Sequence, residues 1–450
     1  MAWVRVSIAV VAVVALGLVL ASGGSGTDPR TPPALPGLPA PFLGTAVVGQ
    51  GAMTAAIDAY GDVVDLRPAP AGPALIDNPA ARQAAGSVAP NTGIVPRVRV
   101  GGGPALPLWR ADSVSQRYLP GTNVVRTVAR FRDARVVVSA AVLGGRLAVR
   151  ARSEASGGAR VALSASVNGI GGFHCARGVQ GGELDLLCGV GRVLPPALAT
   201  FPGEPRRRVK GAIRGAAAGD RAWLARARPL GSSAPAWARS MYERSLLVLR
   251  ALTDRRTGAV AAGARDGWAY VWPRDAATAA LAYAAAGYGK EACWVAGFLD
   301  RLPLDSAARF YGNGTPVPGR AAEGDAAGWT LVAGRAARRV WGSMDPQTLE
   351  SRRARGGSCS CCARAKRAPW RGRADYREGG VGDYLGNAIA AGARLAPFET
   401  PRGLARAAAD PGSGLDAAAA WAVRPFPRPA LYPAARATLL HLLARGTRFG

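Results

Sequence analysis

The sequence predicts a multidomain protein of the β-then-α class, with an antiparallel β-sandwich followed by a helical domain. Residues 43–228 contain short valine-rich runs in which apolar and polar residues alternate, as in half-buried strands. From residue 229 onward apolar residues recur at helical spacing between proline and glycine breaks. The chain has 450 residues, a length that suits two or three domains.

The predicted strands are separated by Gly-Gly, Pro-Gly and Asp-containing turns. They read VPRVRVGG, NVVRTVARFRD, ARVVVSAAVLGGRLAVRARSEA and ARVALSASVNG. Ahead of them, the segment AIDAYGDVVDLR at 56–67 predicts a hairpin with Tyr60, Gly61 and Asp62 in or near its turn. Repeated short alternating runs of this kind indicate an antiparallel sandwich over residues 43–228.

The helical part is predicted to begin after a capping serine, Ser232 or Ser233, with Pro235 near the first turn. An all-α domain is expected over residues 229–450. Beyond the first helix, the helical segments are predicted at 275–288, 290–301, 326–341, 381–395, 401–409, 414–423 and 432–445.

The N-terminus has the pattern of an export signal. One basic residue, Arg5, precedes an uncharged apolar run from Val6 to Ala21, and small residues follow. Residues 1–25 are therefore expected to be a cleaved signal peptide, or alternatively a membrane anchor formed by residues 6–22. A proline-rich linker at 26–42 follows. On this interpretation the rest of the chain is extracytoplasmic, either secreted or anchored to the cytoplasmic membrane.

The formal net charge is +28, and all but three of the basic residues are arginines. Together with the abundance of alanine, glycine and proline, this indicates the compositional bias of a GC-rich gene. A basic chain can also bind nucleic acid or an anionic membrane. The arginines are mostly scattered and no nucleic-acid motif accompanies them, so a nucleic-acid partner is not expected.

The six cysteines fall into three groups. Cys175 and Cys188 lie in the β-rich part, where they could form a disulfide or remain two thiols. Cys293 has the setting of a buried helix residue. The segment 351–373 combines eight basic residues with Cys359, Cys361 and Cys362.

The segment 351–373 could be read as a thiolate metal site or a basic patch. Its Cys-Ser-Cys-Cys sequence lacks the C-x₂-C pairs and the nearby histidine of a zinc site. A surface loop or a locally shifted reading frame is the preferred interpretation. Neither a metal ion nor a cofactor is expected.

The stretch RDGWAYVWPRDAATAALAYAAAGYGK places three aromatic residues, Trp268, Tyr270 and Trp272, two positions apart. Arg274 and Asp275 follow at the start of an alanine-rich helical run. Aromatic rings can stack on the apolar face of a sugar, and an Arg-Asp pair offers complementary donors and acceptors to its hydroxyls. The alternative is that the tryptophans are core residues and Asp275 is a helix N-terminal charge.

The region from YERSLLVLRAL to this stretch resembles the start of the catalytic domain of glycoside hydrolase family 15, the glucoamylase-like enzymes. The matched blocks are a first helix of the type RSLLVLRAL, a Thr-Gly-Ala segment and a Tyr-x-Trp-x-Arg-Asp motif. The resemblance implies a bacterial-type β-sandwich followed by a partial (α/α)6 toroid, and an oligo- or polysaccharide α-glucoside as partner. It implies that Arg274 and Asp275 bind the terminal sugar, with Trp272 lining the same pocket.

Two further blocks are similar to family segments. The Asp-x-x-Gly-Trp sequence at 325–329 implies that Asp325 and Trp329 lie near the pocket. The block ADYREGG matches the family's Asp-Tyr-Trp-Glu, which implies that Glu378 is the general acid. Arg377 replaces the usual tryptophan and should lower the pKa of Glu378, opposing an acid role. Glu378 as a solvated helix-start residue is the alternative.

Family members invert configuration and need a second carboxylate as base. The resemblance implies a late glutamate for this role, and none follows Glu399. We therefore expect an incomplete toroid and an exported glucoamylase-like hydrolase that cleaves α-glucosidic bonds from non-reducing ends, with catalysis impaired by the absence of this base. Two alternatives are a non-catalytic α-glucan-binding pseudoenzyme and a basic envelope protein.

Overall fold

The computed structural model describes residues 45–77, 93–170, 172–191, 193, 203–264, 268–342, 384–392, 395–408 and 410–445. The chain divides into two compact domains. The first comprises Met1–Tyr270 with Ala285–Tyr288, and the second comprises Val271–Ala284 with Gly289–Gly450. Each domain is described by itself.

The first domain contains thirteen strands in its described residues, all paired antiparallel in two sheets. The seven-stranded sheet has the order β1-β2-β3-β5-β11, with β4 paired to β3 and β6 paired to β5. The six-stranded sheet has the order β12-β13-β10-β9-β8-β7. The strands are β1 Thr45–Gly49, β2 Thr54–Asp58, β3 Val63–Arg67, β4 Ile76–Asp77, β5 Gly93–Val100, β6 Leu106–Pro107, β7 Ser113–Tyr118, β8 Val125–Phe131, β9 Ala134–Leu143, β10 Arg146–Ala155, β11 Val161–Asn168, β12 Phe173–Gln180 and β13 Glu183–Val190.

One apolar core joins the two sheets. Ile57, Val63 and Ile94 from the seven-stranded sheet belong to the same buried cluster as Val138 and Leu147 from the six-stranded sheet. The antiparallel β-structure predicted for this region is therefore confirmed. The predicted hairpin is also confirmed, since β2 and β3 pair directly on either side of the Tyr60–Asp62 turn.

The predicted all-β extent of 43–228 is wrong at its C-terminal end, where Glu204–Leu224 forms helix α1. Its inner face packs on the six-stranded sheet, with Val209 against Ala148 and Leu187. Both faces of the middle strands β9, β10 and β13 are therefore covered. This explains why β9 and β13 carry nearly continuous apolar runs, a pattern that masks the change from strand to helix.

A buried polar cluster connects α1 to the rest of the domain, including helix α2 at Ala236–Leu252. The fully buried Asp220 carboxylate accepts hydrogen bonds from Gln50 Nε2 at 2.9 Å and from the Asn123 backbone N–H at 2.7 Å. Arg250 Nη1 forms an ion pair with it at 2.6 Å. Asn123 also donates its amide to the carbonyl of Leu247 at 2.8 Å. Sheet, α1 and α2 are thereby fixed to one another.

The second domain is mixed rather than all-α. Its helices are α3 Pro273–Ala285, α4 Gly289–Leu299, α5 Ala326–Gly342, α6 Leu385–Ala391 and α7 Tyr432–Ala444. A three-stranded sheet of order β14-β15-β16 lies between α6 and α7 along the chain, with β14 Glu399–Thr400, β15 Gly403–Ala407 and β16 Asp410–Leu415.

Several helix predictions are confirmed and others are wrong. Segments 275–288, 290–301, 326–341 and 432–445 are helical as predicted, whereas 401–409 contains β15 and 414–423 is mainly a 3₁₀ helix at Ala417–Ala422. Within the predicted helix at 381–395, α6 covers Leu385–Ala391, and residues 381–383 and 393–394 lie outside the described part of the chain. Gly403 has a φ of 134° and lies against Thr438, so its backbone takes a conformation that a helix cannot use. The (α/α)6 toroid remains a prediction.

Cys175 and Cys188 form a disulfide. They lie directly opposite each other in the β12–β13 pairing, with their Cα atoms 4.1 Å apart. The sequence left open whether these cysteines form a disulfide or remain two thiols, and the structure has the disulfide. Cys293 is buried in α4, as predicted.

Several predicted segments lie outside the described residues. They are the signal or anchor at 1–25, the linker at 26–42, the cysteine-rich segment at 351–373 and Glu378. Among the described residues, none of the helices has the length and apolar character needed to cross a bilayer.

Asp62 is a buried acid in the β2–β3 turn. Only 2% of it is exposed, and neither carboxylate oxygen accepts a hydrogen bond from a described residue. Burial raises the pKa of Asp62 well above its usual range. The Asp58 carboxylate raises it further, and Arg97 opposes the shift.

We expect the free energy of unfolding to fall as the pH rises through this raised pKa. At that pH the Asp62 carboxyl of the folded chain loses its proton, whereas the same carboxyl in the unfolded chain has already lost it at about pH 3.9. Asp62→Asn should flatten this dependence and stabilise the domain at high pH by on the order of 1 kcal/mol. Chemical denaturation across the pH range measures the effect. Asp112→Asn, at an exposed position, is the control, and equal pH slopes for Asp62→Asn and the original protein would contradict the prediction.

Gly328 in α5 permits a close helix contact, because an added Cβ would overlap the Ala390 carbonyl of α6. Gly334 in the same helix has room, with only the Arg338 side-chain end near at 3.5 Å. We expect Gly328→Ala to lower the free energy of unfolding of the second domain by about 1–3 kcal/mol. Gly334→Ala should raise it by about 0.5–1 kcal/mol through helix propensity. Thermal denaturation of both variants tests this, and shifts of the same sign would refute it.

Candidate functional site

The candidate site is built around the first turn of α3. Val271, the second residue of the Tyr-x-Trp-x-Arg-Asp motif, exchanges two backbone hydrogen bonds of 2.8 Å with Phe310, which fixes the entry to the helix. Pro273 is the first helical residue, a position where its missing N–H costs nothing. Arg274 and Asp275 therefore project from a rigid helix start.

Three acceptors hold a single nitrogen of Arg274. Its Nη1 lies 2.5 Å from Asp325 Oδ2, 3.1 Å from Glu323 Oε2 and 3.4 Å from Asn387 Oδ1. The side chains of Asp325 and Glu323 are only 1% and 6% exposed, whereas that of Arg274 is 24% exposed. The carboxylates of these ion pairs are therefore buried, whereas the guanidinium of Arg274 reaches the solvent.

The charge on Arg274 is firmly fixed. Burial alone would lower the pKa of Arg274, but the carboxylates of Asp325, Glu323 and Asp275 outweigh burial and raise it. All of its hydrogen bonds to the described residues use Nη1. The Nη2 and Nε groups remain as donors in a fixed plane, an arrangement suited to hydroxyl or carboxylate acceptors.

The residues that hold Arg274 come from two further segments. Asp325 immediately precedes α5, and its backbone carbonyl accepts the N–H of Trp329 at 3.1 Å, so the helix start positions its side chain. Asn387 is buried in α6. The close α5–α6 contact at Gly328 brings these two helices together, and with them Asp325 and Asn387.

Trp272 is a buried residue, with 5% of its surface exposed. The guanidinium carbon of Arg320 lies 5.3 Å from the centroid of its ring, and that of Arg309 lies 6.0 Å away. Trp272 therefore supports the site from within and is stacked by cations. An open platform for a sugar ring, as the alternating aromatics suggested, would require Arg320 to move aside.

Asp275 is exposed to solvent, yet burial is the main cause that raises its pKa, with the charge of Arg274 acting in the opposite direction. The two properties are compatible when a carboxylate is reachable by solvent but closely surrounded by protein. Asp275 is therefore open to a small solute, whose hydroxyl groups can donate hydrogen bonds to its carboxylate.

Trp329 belongs to an aromatic cluster in the second domain. Its ring packs edge-to-face on Trp421 at 5.0 Å and on Phe426 at 4.9 Å. The ring is buried, and its Nε1 donates no hydrogen bond to a described residue. This arrangement gives Trp329 a packing role beneath Asp325, four positions earlier.

The structure thus brings Arg274 together with Asp325 and places Trp272, Asp275 and Trp329 on the same elements. Trp268, which is largely exposed, and Tyr270 lie in the first domain. Sequence reasoning missed three residues, Glu323, Asn387 and Arg320. Glu323 stands two positions before Asp325, and this spacing was the available signal. No sequence signal pointed to Asn387, since it lies 113 positions from Arg274.

No family model matches the chain, and no curated protein matches it. Among solved structures, the chain is similar to a bacterial glucoamylase in complex with acarbose, at 12% identity and a TM-score of 0.49. The likeness covers 65% of this chain, which spans about 55% of the glucoamylase's length.

The two ion pairs of Arg274 should differ in strength. Asp325 is closer and more buried than Glu323, so Asp325→Asn leaves the guanidinium with the more distant Glu323 as its one ion-pair partner. We expect Asp325→Asn to lower the free energy of unfolding of the second domain by about 3 kcal/mol. Glu323→Gln should lower it by about 1 kcal/mol. Denaturant titration measures both, with the exposed Glu399→Gln as control. Equal losses or the reverse order would contradict this ranking.

Proposed function

We propose that the second domain binds the terminal ring of an α-glucoside at Arg274 and Asp275, and that the chain is a glucoamylase-like glycoside hydrolase. The observation that carries the proposal is the fixed guanidinium of Arg274. One of its nitrogens is held by buried carboxylates while the other donors remain available beside an accessible acid.

A sugar ring matches this arrangement through two adjacent hydroxyls. Arg274 Nη2 and Nε donate to hydroxyl oxygens, and Asp275 accepts the hydroxyl hydrogens. Because Glu323, Asp325 and Asn387 already hold the guanidinium in place, little side-chain entropy is lost when the sugar binds. The pair therefore recognises hydroxyl positions rather than a net charge.

Hydrolysis needs an acid on the leaving oxygen and, with inversion, a base that activates water across the ring. Glu323 and Asp325 both bind Arg274, so their part is to position the guanidinium. We propose Glu378 as the acid, on its resemblance to the family block alone. The base is left unassigned.

A second candidate function is α-glucan binding without hydrolysis. It is favoured by the ion pairing of both buried carboxylates near Arg274, because a carboxylate held in this way is poorly suited to proton transfer.

For either function we propose an extracytoplasmic location, in which the chain is secreted or anchored through residues 6–22. The apolar run at the N-terminus supports this location.

The function is tested by calorimetric titration with maltotriose and by an assay of glucose release, on the full chain. Arg274→Gln should weaken binding by about 10- to 100-fold, because the sugar loses hydrogen bonds from a charged donor. Arg335→Gln, at an exposed position of α5, should leave binding unchanged. Binding by the original protein should weaken as Asp275 is protonated, and Asp275→Asn should lose this pH dependence.

The outcomes separate the candidates. Glucose release that is lost in Glu378→Gln supports the hydrolase. Maltotriose binding without glucose release supports the binding protein and rejects the hydrolase. No affinity for maltotriose in the original protein, or equal affinity in Arg274→Gln, overturns the proposed sugar site. The remaining alternative is then a basic envelope protein.

A further inference from the structure

The outer face of α1 in the first domain carries a row of arginines. Arg207, Arg214 and Arg221 are all exposed and follow one another at intervals of seven residues. Seven residues fall about 20° short of two helical turns, so the three side chains share one face. At about 1.5 Å per residue they lie about 10 Å apart along the helix.

Neither acidic residue of α1 is exposed beside the row. Asp220 is fully buried and is bound by Gln50, Asn123 and Arg250. Glu204 is buried in the first turn, where it pairs with Arg207 and Arg208. Two acids are therefore buried and paired on a helix that exposes several arginines, and one of these acids partly neutralises the first arginine of the row.

Little on the face neutralises the row. Arg207 remains 76% exposed despite its pairing with Glu204. Within the described residues, Arg214 and Arg221 form no ion pair, and the only hydrogen bond of Arg214 is a long one of 3.4 Å to the Lys210 carbonyl. Arg214 and Arg221 therefore present unpaired positive charge to the solvent, whereas Arg207 shares its charge with Glu204 of the same helix.

The other exposed residues on this side of the helix are small. Gly211 and Ala218 lie between the arginines, and Ala222 and the C-cap residue Ala225 follow Arg221. A flat surface can approach the helix closely over these positions, and no large apolar side chain stands there to insert into it. The opposite face of α1 is packed on the six-stranded sheet, so the row is carried by a rigid support.

We propose that this arginine row docks the first domain on a bilayer that contains anionic phospholipids. The straight row on a convex helix fits a planar array of phosphate groups. Single-stranded nucleic acid would require a groove and aromatic rings for base stacking, and the exposed face of α1 carries no aromatic residue. The apolar run Val6–Ala21 of the same chain, read as an export signal or anchor, is consistent with a membrane as the partner. The binding is electrostatic and peripheral, and it is independent of the sugar site.

The test uses the full chain and two triple variants with equal net charge. Arg207→Gln, Arg214→Gln and Arg221→Gln together remove the row. Arg99→Gln, Arg110→Gln and Arg160→Gln together remove three exposed arginines around the seven-stranded sheet, the other layer of the sandwich. Cosedimentation with phosphatidylglycerol–phosphatidylcholine vesicles measures binding, and pure phosphatidylcholine vesicles measure any contribution from residues 6–22, which all forms retain.

The original protein and the control variant should bind the anionic vesicles alike, and the row variant should bind about a hundredfold more weakly. Added salt should weaken binding of the original protein. Matching thermal unfolding of the two variants shows that the row variant is folded. Equal losses in both variants, equal binding to neutral and anionic vesicles, or loss of binding to single-stranded DNA but not to vesicles would each overturn the proposal.

Discussion

The arrangement of the second domain depends on one half-buried cation. Arg274 draws together the start of α3, the residues ahead of α5 and the middle of α6, and no single one of these segments could hold it alone. A guanidinium at the edge of a protein interior requires carboxylates to offset its lost hydration, and the carboxylates require it in return. The same constraint makes the site chemically useful, because it leaves the outward donors rigid and charged.

A buried ion also holds segments of the first domain together, and there the ion is an anion. Asp220 is a buried anion, and its partners come from β-structure, a loop and α2. In both domains, an ion that is costly to bury unpaired specifies which segments must meet. The apolar cores could tolerate several packings of alanine-rich helices, whereas these polar clusters accept only one.

The β-structure, the Tyr60–Asp62 hairpin and four of the later helices could be predicted, because alternation and helical spacing are local signals. Helix α1 was missed although its spacing is helical, because its few apolar residues are scattered among alanine, glycine and arginine and it directly follows a strand-rich region. The strand at Gly403–Ala407 was hidden by an alanine-rich composition that favours helix, and contact with Thr438 decides its conformation. At the site, the motif indicated Arg274, Asp275 and Asp325, but Asn387 depends on tertiary contact and left no mark in the local sequence.

The disulfide between Cys175 and Cys188 has a consequence for solubility. It joins β12 to β13, and β12 is the edge strand of the six-stranded sheet. An edge strand exposes unpaired backbone groups that can recruit strands from other molecules, and Val179 and Val190 add exposed apolar side chains here. The covalent link keeps β12 from peeling away and uncovering the more apolar β13. Reduction of the cysteine pair would leave β12 joined to β13 without a covalent link.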